Sequence, residues 1–191
     1  MEIAKIEVDS KSKDEEKESF IIELPSVIIV SDQLFTSSGK CKLLQLKQVG
    51  GLIGYYWRIE LANRTKYNLC LGASDDKAMF KIFTMVNDQN EEINIIESVF
   101  YPNKVITLDK VKDRVIIKNC PMAPTRIGKQ DLIRQDISDI LLKRISYKSS
   151  AERFMFQFFT KGYGLGFGSD GKPMKPSTVR LNQAESIFRF V

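Results

Sequence analysis

From residue 25 onward, short apolar runs alternate with polar positions and are separated by turn residues. In Met79–Phe83 and in Arg153–Phe158, every second side chain is apolar, which makes one face of each segment hydrophobic. Such alternation is typical of a strand that is buried on one side. Because the runs are short, numerous and rich in Ile, Val, Phe and Tyr, the pattern predicts an all-β domain.

The same pattern sets the expected strand boundaries, and we predict about twelve strands. They lie at Val27–Val30, Lys42–Lys47, Tyr55–Leu61, Tyr67–Leu71, Met79–Met85, Ile93–Ser98, Lys104–Leu108, Arg114–Lys118, Leu141–Ser146, Phe154–Phe159, Gly164–Phe167 and Ile187–Val191.

Turn residues stand between several of these strands. Asn87–Asn90 and Tyr101–Asn103 carry the Asn and Pro residues that favour reversals of the chain. Asp170-Gly171 predicts a two-residue hairpin turn in which both residues adopt positive φ.

One insertion, residues 125–144, departs from the strand pattern. Its apolar residues Leu132, Ile133, Ile137, Ile140 and Leu141 recur at helical spacing. We therefore expect one short helix within Asp131–Arg144. The alternative is a long loop that leads into a strand at Ile140–Ile145.

About twelve strands in some 165 residues leave three candidate architectures: the barrel, the sandwich and the β-trefoil. A β-trefoil contains three copies of a four-strand unit, so twelve is the number it needs. Lys81–Phe83, Met155–Phe158 and Ile187–Phe190 also look alike, as repeated units would. A β-trefoil is the expected fold.

Charge divides the chain into two parts. Residues 1–20 have a net charge of −3, whereas the whole chain has +5, which leaves +8 for the rest. We interpret residues 1–24 as an acidic flexible leader or propeptide and residues 25–191 as the trefoil domain. The basic body could attract sulfated sugars or acidic proteins. No run of five basic residues occurs, so we expect no nucleic-acid partner.

Composition argues against catalysis. The 191 residues contain no histidine, which excludes a histidine general base and an imidazole-bound metal. Cys41, Cys70 and Cys120 are too scattered for a thiolate metal site, and their odd number indicates free thiols. We expect no enzyme activity, no cofactor and no metal.

The amino terminus lacks an apolar stretch long enough for a signal peptide, and no later segment is long and apolar enough to span a membrane. We therefore expect a cytoplasmic protein that does not insert into membranes.

Gly166–Lys172 superficially matches the opening of a phosphate-binding loop. Pro173 and Pro176 follow directly, however, and prolines at these positions exclude the helix that such a loop requires. We interpret the segment as a strand–turn–strand hairpin instead.

Candidate binding residues cluster near the carboxyl terminus. Lys161, Lys172, Lys175 and Arg180 could together hold an acidic receptor surface or a sulfated polyanion, although scattered solvated side chains would look the same. Trp57 is either a sugar-binding platform or, as we prefer, part of the core. In the leader, Ile6–Asp9 resembles the tetrapeptides that caspases cut, which makes Asp9 a candidate processing site.

Two families of β-trefoil proteins resemble parts of the sequence. Gly164–Lys175 followed by Ser186–Phe190 is similar to the last hairpin and closing strand of the fibroblast growth factors, and Tyr55–Ile59 is similar to their second-strand region. This resemblance implies a ligand of heparan sulfate and of a receptor.

The second resemblance covers most of residues 26–191. The strands Met79–Met85 and Ile93–Ser98, then Arg114–Lys118, the Pro121–Asp139 connection and the ending Glu185–Val191 resemble the interleukin-1 superfamily, in particular its interleukin-18 branch, in order and spacing. The acidic leader is also similar to interleukin-1-type precursors.

The interleukin-1-type resemblance implies a cytokine that is stored in the cytoplasm and secreted without a signal peptide. Its partners would be a cell-surface receptor ectodomain with immunoglobulin-like domains and a processing caspase, and it would be a monomer. Two alternatives stay open: a fibroblast-growth-factor-like ligand, and an intracellular trefoil adaptor that binds actin, a sugar or another protein.

Overall fold

The computed structural model of the chain describes residues 35–46 and 55–191, all within the compact unit that covers residues 32–191. The predicted leader 1–24 with Asp9, and the predicted strand Val27–Val30, lie outside the described residues. The two-part division of the chain therefore stays a prediction.

Ten strands occur among the described residues. They are β1 (Thr36–Gln45), β2 (Tyr56–Leu61), β3 (Tyr67–Gly72), β4 (Met79–Val86), β5 (Glu92–Ser98), β6 (Lys104–Asp109), β7 (Arg114–Asn119), β8 (Leu142–Ser146), β9 (Phe154–Phe158) and β10 (Phe188–Phe190). β1 begins six residues before the predicted start, because its first half pairs with β4 across a bulge at Gly39, where φ is +107°.

Six of these strands form a closed antiparallel barrel. The ring runs β1–β10–β9–β8–β5–β4 and returns to β1. Closure of the ring pairs the backbone N–H and C=O groups that would stay without hydrogen bonds at the two edges of an open sheet. The predicted turn Asn87–Asn90 joins β4 to β5 within the ring, and Tyr101–Asn103 joins β5 to β6 outside it. Asn90 and Asn103 take the left-handed conformation that asparagine tolerates.

Three hairpins extend the barrel, each from a different third of the chain. β2–β3 pairs with β1 at Leu44, and β6–β7 pairs with β5 at Glu97. The third hairpin, residues 164–168 and 172–176, continues from β9 through a bridge between Gln157 and Gly164. Two barrel strands and one hairpin in each third make the β-trefoil, as predicted.

The third hairpin differs from its prediction in two ways. Backbone bonds of 2.9 Å join Gly168 N to Lys172 O, Met174 N to Gly166 O and Gly164 N to Pro176 O. The arm Gly164–Phe167 does not form a regular strand, because Pro176 has no N–H with which to return a bond. The turn also has three residues rather than two, and only Gly171 adopts positive φ, at +72°.

The helix predicted within Asp131–Arg144 shrinks to one turn, α1 (Gln135–Ser138), beside 3₁₀ turns at Pro124–Arg126 and Lys129–Asp131. So short a helix gains few backbone hydrogen bonds, and the strand β8 begins soon after it, at Leu142. The helical spacing reflects packing instead: Ile137, Ile140 and Leu141 are buried with Ile95 of β5 in a second apolar cluster.

The main core fills the barrel and the space beneath the hairpins. Trp57 of β2 is fully buried and lies 4.7–6.4 Å, centroid to centroid, from the rings of Phe80, Phe156, Phe167 and Phe188. These rings come from three barrel strands and the third hairpin. The sequence-based preference for Trp57 as a core residue is confirmed.

Candidate binding surface

The β6–β7 turn is fastened to the end of the third hairpin by one acidic side chain. Asp113 accepts hydrogen bonds from the Ser177 backbone N–H, at 2.9 Å, and from the Ser177 hydroxyl. These bonds, with a smaller contribution from the Lys175 charge, hold the pKa of Asp113 below its usual range. Two segments that are 64 residues apart in sequence therefore form one surface.

The most exposed large apolar side chain of the described residues stands at this turn. Val111 is 95% exposed and lies between Lys110 and Lys112, both of which are exposed as well. We call Lys110–Asp113 together with Lys175 and Ser177 the tip surface. An apolar centre flanked by cations suits a partner that offers an apolar pocket with an acidic rim.

A buried backbone contact supports the tip surface from below. Leu108 N–H donates to Asp139 O at 2.8 Å, which ties β6 to the residue that follows α1. Burial raises the pKa of the Asp139 carboxyl, and the charges of Lys118 and Lys110 oppose that rise. The turn end of β6 is therefore held in place next to the exposed residues Lys110–Lys112.

The four predicted binding residues are all exposed, but they do not form one cluster along the hairpin. Lys172 lies at the turn, where its nearest acid is Asp170 at 3.9 Å. Lys175 lies at the opposite end of the same arm, about 10 Å of extended chain away. Lys161 precedes the other arm and Arg180 follows Val179, so both flank that same end.

Sequence reasoning missed Lys110, Val111 and Lys112 as partners of Lys175. The available signal was a single apolar residue, Val111, with two charged residues on each side of it in Asp109–Asp113. Their closeness to Lys175 depends on the Asp113–Ser177 contact, which no local pattern encodes.

The thiols of the chain are protonated at neutral pH. Burial raises the pKa of each of Cys41, Cys70 and Cys120 to about 11, and all three are free. A nucleophilic thiolate needs the opposite shift. Nothing in this electrostatic environment activates a cysteine.

Within residues 35–46 and 55–191, no three metal-ligating side chains come together. The same stretch of chain contains no helix that is long and apolar enough to cross a membrane. Where a phosphate-binding loop would need a helix after Lys172, the chain forms the second arm of the third hairpin and a single 3₁₀ turn at Pro176–Thr178.

No protein-family model and no curated protein sequence matches the chain. Solved structures match its fold. One, described as the BEL β-trefoil in an apo crystal form, has a TM-score of 0.53 at 12% identity and covers 81% of this chain and 93% of its own. Another, SeviL bound to asialo-GM1 saccharide, has a TM-score of 0.52 at 10% identity and covers 80% of this chain and 96% of its own. At such identities the likeness shows the β-trefoil fold alone.

Proposed function

We propose that the protein is a cytokine-like ligand that binds the immunoglobulin-like ectodomain of a cell-surface receptor through the tip surface. The observation that carries this proposal is Val111, a valine that is 95% exposed on a turn held on one side through Leu108 and on the other through Asp113. An apolar side chain that is exposed on a fixed turn and flanked by two lysines can serve as the anchor of an interface, which supports this role.

The physical basis is recognition by a rigid scaffold. A closed barrel with fastened hairpins holds its turns in place before binding, so little conformational entropy is lost on association. Apolar anchors at the centre of an interface contribute most of the affinity, and the flanking Lys110, Lys112 and Lys175 would speed association with an acidic receptor surface.

Export and processing belong to the same proposal. The protein would be stored in the cytoplasm and released without a signal peptide, and a caspase would remove part of the acidic leader by cutting after Asp9. Incubation with inflammatory caspases tests this step. Cleavage that is lost in Asp9→Ala supports it, and an uncut chain contradicts it.

Paired surface variants test the tip surface. Val111→Asp places a negative charge at the centre of the surface and should weaken ectodomain binding about tenfold or more, which corresponds to about 1.4 kcal/mol. Val86→Asp is the matched control, because Val86 is also exposed, at 60%, but ends β4 beside the turn that leads to β5. Equal effects of the two variants would reject the tip surface as the receptor contact.

Binding of a sulfated sugar such as heparan sulfate is the second candidate function. It is favoured by Lys161, Lys175 and Arg180, which flank one end of the third hairpin. Heparin chromatography discriminates between the two. Elution well above physiological salt, lowered by Lys175→Glu and Arg180→Glu, supports it, whereas elution at low salt argues against it.

A further inference from the structure

The barrel has a cavity at the end that faces away from the three hairpins. It has a volume of about 410 Å³, which lies in the range of small-molecule sites, roughly 300–1,000 Å³. Its wall includes Cys41, Asn94, Arg144 and Phe190, each from a different barrel strand. The hairpins join β1 and β5 nearer the other ends of those strands, so this mouth is separate from the tip surface.

Asn94 in this wall is completely buried, yet half of its amide is unpaired. Its Oδ1 accepts a hydrogen bond from the Thr84 hydroxyl at 2.9 Å, and Thr84 in turn accepts one from Ser38 at 2.7 Å. Its Nδ2 has no partner within residues 35–46 and 55–191. Because buried amide donors are nearly always bonded, this unpaired N–H group at the cavity wall suits an acceptor that a ligand supplies.

A fixed ion pair lies beside Asn94. The Arg144 guanidinium is 2.8 Å from Glu92 Oε2 and lies over the rings of Phe154 and Phe190, at 5.4 and 5.5 Å. The rings and the Glu92 carboxylate hold the guanidinium in place, and the two opposite charges offset each other. A charged ligand would therefore meet repulsion from one member of the pair. A neutral ligand can donate to the carboxylate and accept from the guanidinium.

We propose that the barrel mouth binds a neutral polyhydroxylated ring of about monosaccharide size. Each hydroxyl of such a ring can both accept, as the Asn94 and Arg144 donors require, and donate, as the Glu92 carboxylate requires. The less polar face of the ring rests against Phe190. An apolar ligand of the same size would leave the Asn94 N–H group without an acceptor.

The full-length chain is titrated with D-galactose, D-glucose and myo-inositol, and binding is followed by amide chemical shifts and by the melting temperature. Cyclohexanol, with one hydroxyl, and inorganic phosphate are the comparison probes. At least one polyol should give saturable shifts in residues of the mouth and raise the melting temperature. Cyclohexanol and phosphate should bind about tenfold more weakly or not at all.

Three variants locate the site. Asn94→Leu replaces the vacant donor with an apolar side chain of similar volume and should weaken polyol binding about tenfold or more. Glu92→Gln is the second test, for the case that Asn94→Leu does not fold. It leaves Arg144 without its counter-charge, so this variant should lose polyol binding and gain phosphate binding. Glu91→Gln is the matched control, because the neighbouring Glu91 pairs with Lys143 and does not line the cavity. It should bind polyols as the wild type does.

The proposal is overturned if none of the polyols binds, if phosphate or cyclohexanol binds more tightly than every polyol, or if a folded Asn94→Leu or Glu92→Gln variant keeps wild-type affinity. Loss of receptor binding in Val111→Asp with unchanged polyol binding would show that the mouth and the tip surface act independently.

Discussion

Replacement of Trp57 by alanine should destabilise the whole trefoil rather than one hairpin. The indole belongs to β2, and its four aromatic neighbours are Phe80 of β4, Phe156 of β9, Phe188 of β10 and Phe167 of the third hairpin. The side chain is completely buried. Its removal therefore opens a cavity where barrel and hairpins meet.

The size of the effect follows from the buried area. A buried indole covers roughly 200 Å², which at about 25 cal/mol per Å² corresponds to about 5 kcal/mol, of which alanine keeps a part. The Trp57 Nε1 group has no hydrogen-bond partner in the described part of the chain, and the loss of that unpaired donor offsets some of the cost. We expect a loss of about 3–4 kcal/mol in the free energy of unfolding, or a fall of about 10 °C in melting temperature.

Urea unfolding followed by circular dichroism measures this loss, since the variant lacks the chain's single tryptophan. Trp57→Phe is the control: it keeps an aromatic ring and removes the unpaired N–H, so it should cost about 1 kcal/mol or less. A change below about 1 kcal/mol in Trp57→Ala, or equal losses in both variants, would refute the placement of Trp57 at the centre of the core.

Three further outcomes are expected. Gly164→Ala should destabilise the fold by about 1–3 kcal/mol, as measured by urea unfolding, because its Cβ would lie 2.9 Å from Val179 Cγ1 and 3.0 Å from Val179 Cβ, and an unchanged free energy of unfolding would contradict this close approach. Since hydrogen bonds lower the folded pKa of Asp113, its carboxylate adds stability above the unfolded pKa of about 3.9. The melting-temperature advantage over Asp113→Asn should therefore be present at pH 7 and disappear as the pH falls through the folded pKa. The three cysteines, with pKa values of about 11, should react with iodoacetamide more slowly in the native protein than in urea at pH 7.5, and equal rates would contradict the burial of Cys120 and the partial burial of Cys41 and Cys70.

Strand positions and fold class could be predicted because their causes are local. A half-buried strand imposes alternation, as in Met79–Phe83, and the asparagines of the β4–β5 and β5–β6 turns mark reversals. The short helix predicted in the 125–144 insertion is confirmed by α1, but its length of a single turn could not be predicted. Its apolar spacing satisfies a helix and an irregular segment packed on β5 equally well, and only tertiary contacts distinguish them.

The binding surfaces were less accessible to sequence reasoning, because both depend on residues that are distant in the chain. Lys175 is a visible basic residue, but its association with Val111 requires the contact between Asp113 and Ser177. At the barrel mouth, Asn94 and Arg144 meet through the pairing of β5 with β8. The order of charged residues along the chain predicts neither of these two contacts.

The most direct test of the proposed function is a binding measurement with a panel of immunoglobulin-like receptor ectodomains. Full-length protein and a chain that begins at residue 25 are each titrated against every ectodomain. If the protein is a receptor ligand, it should bind at least one ectodomain saturably. The chain that begins at residue 25 should bind that ectodomain with an affinity equal to or higher than that of the full-length protein. Absence of binding by both forms would contradict the receptor-ligand function.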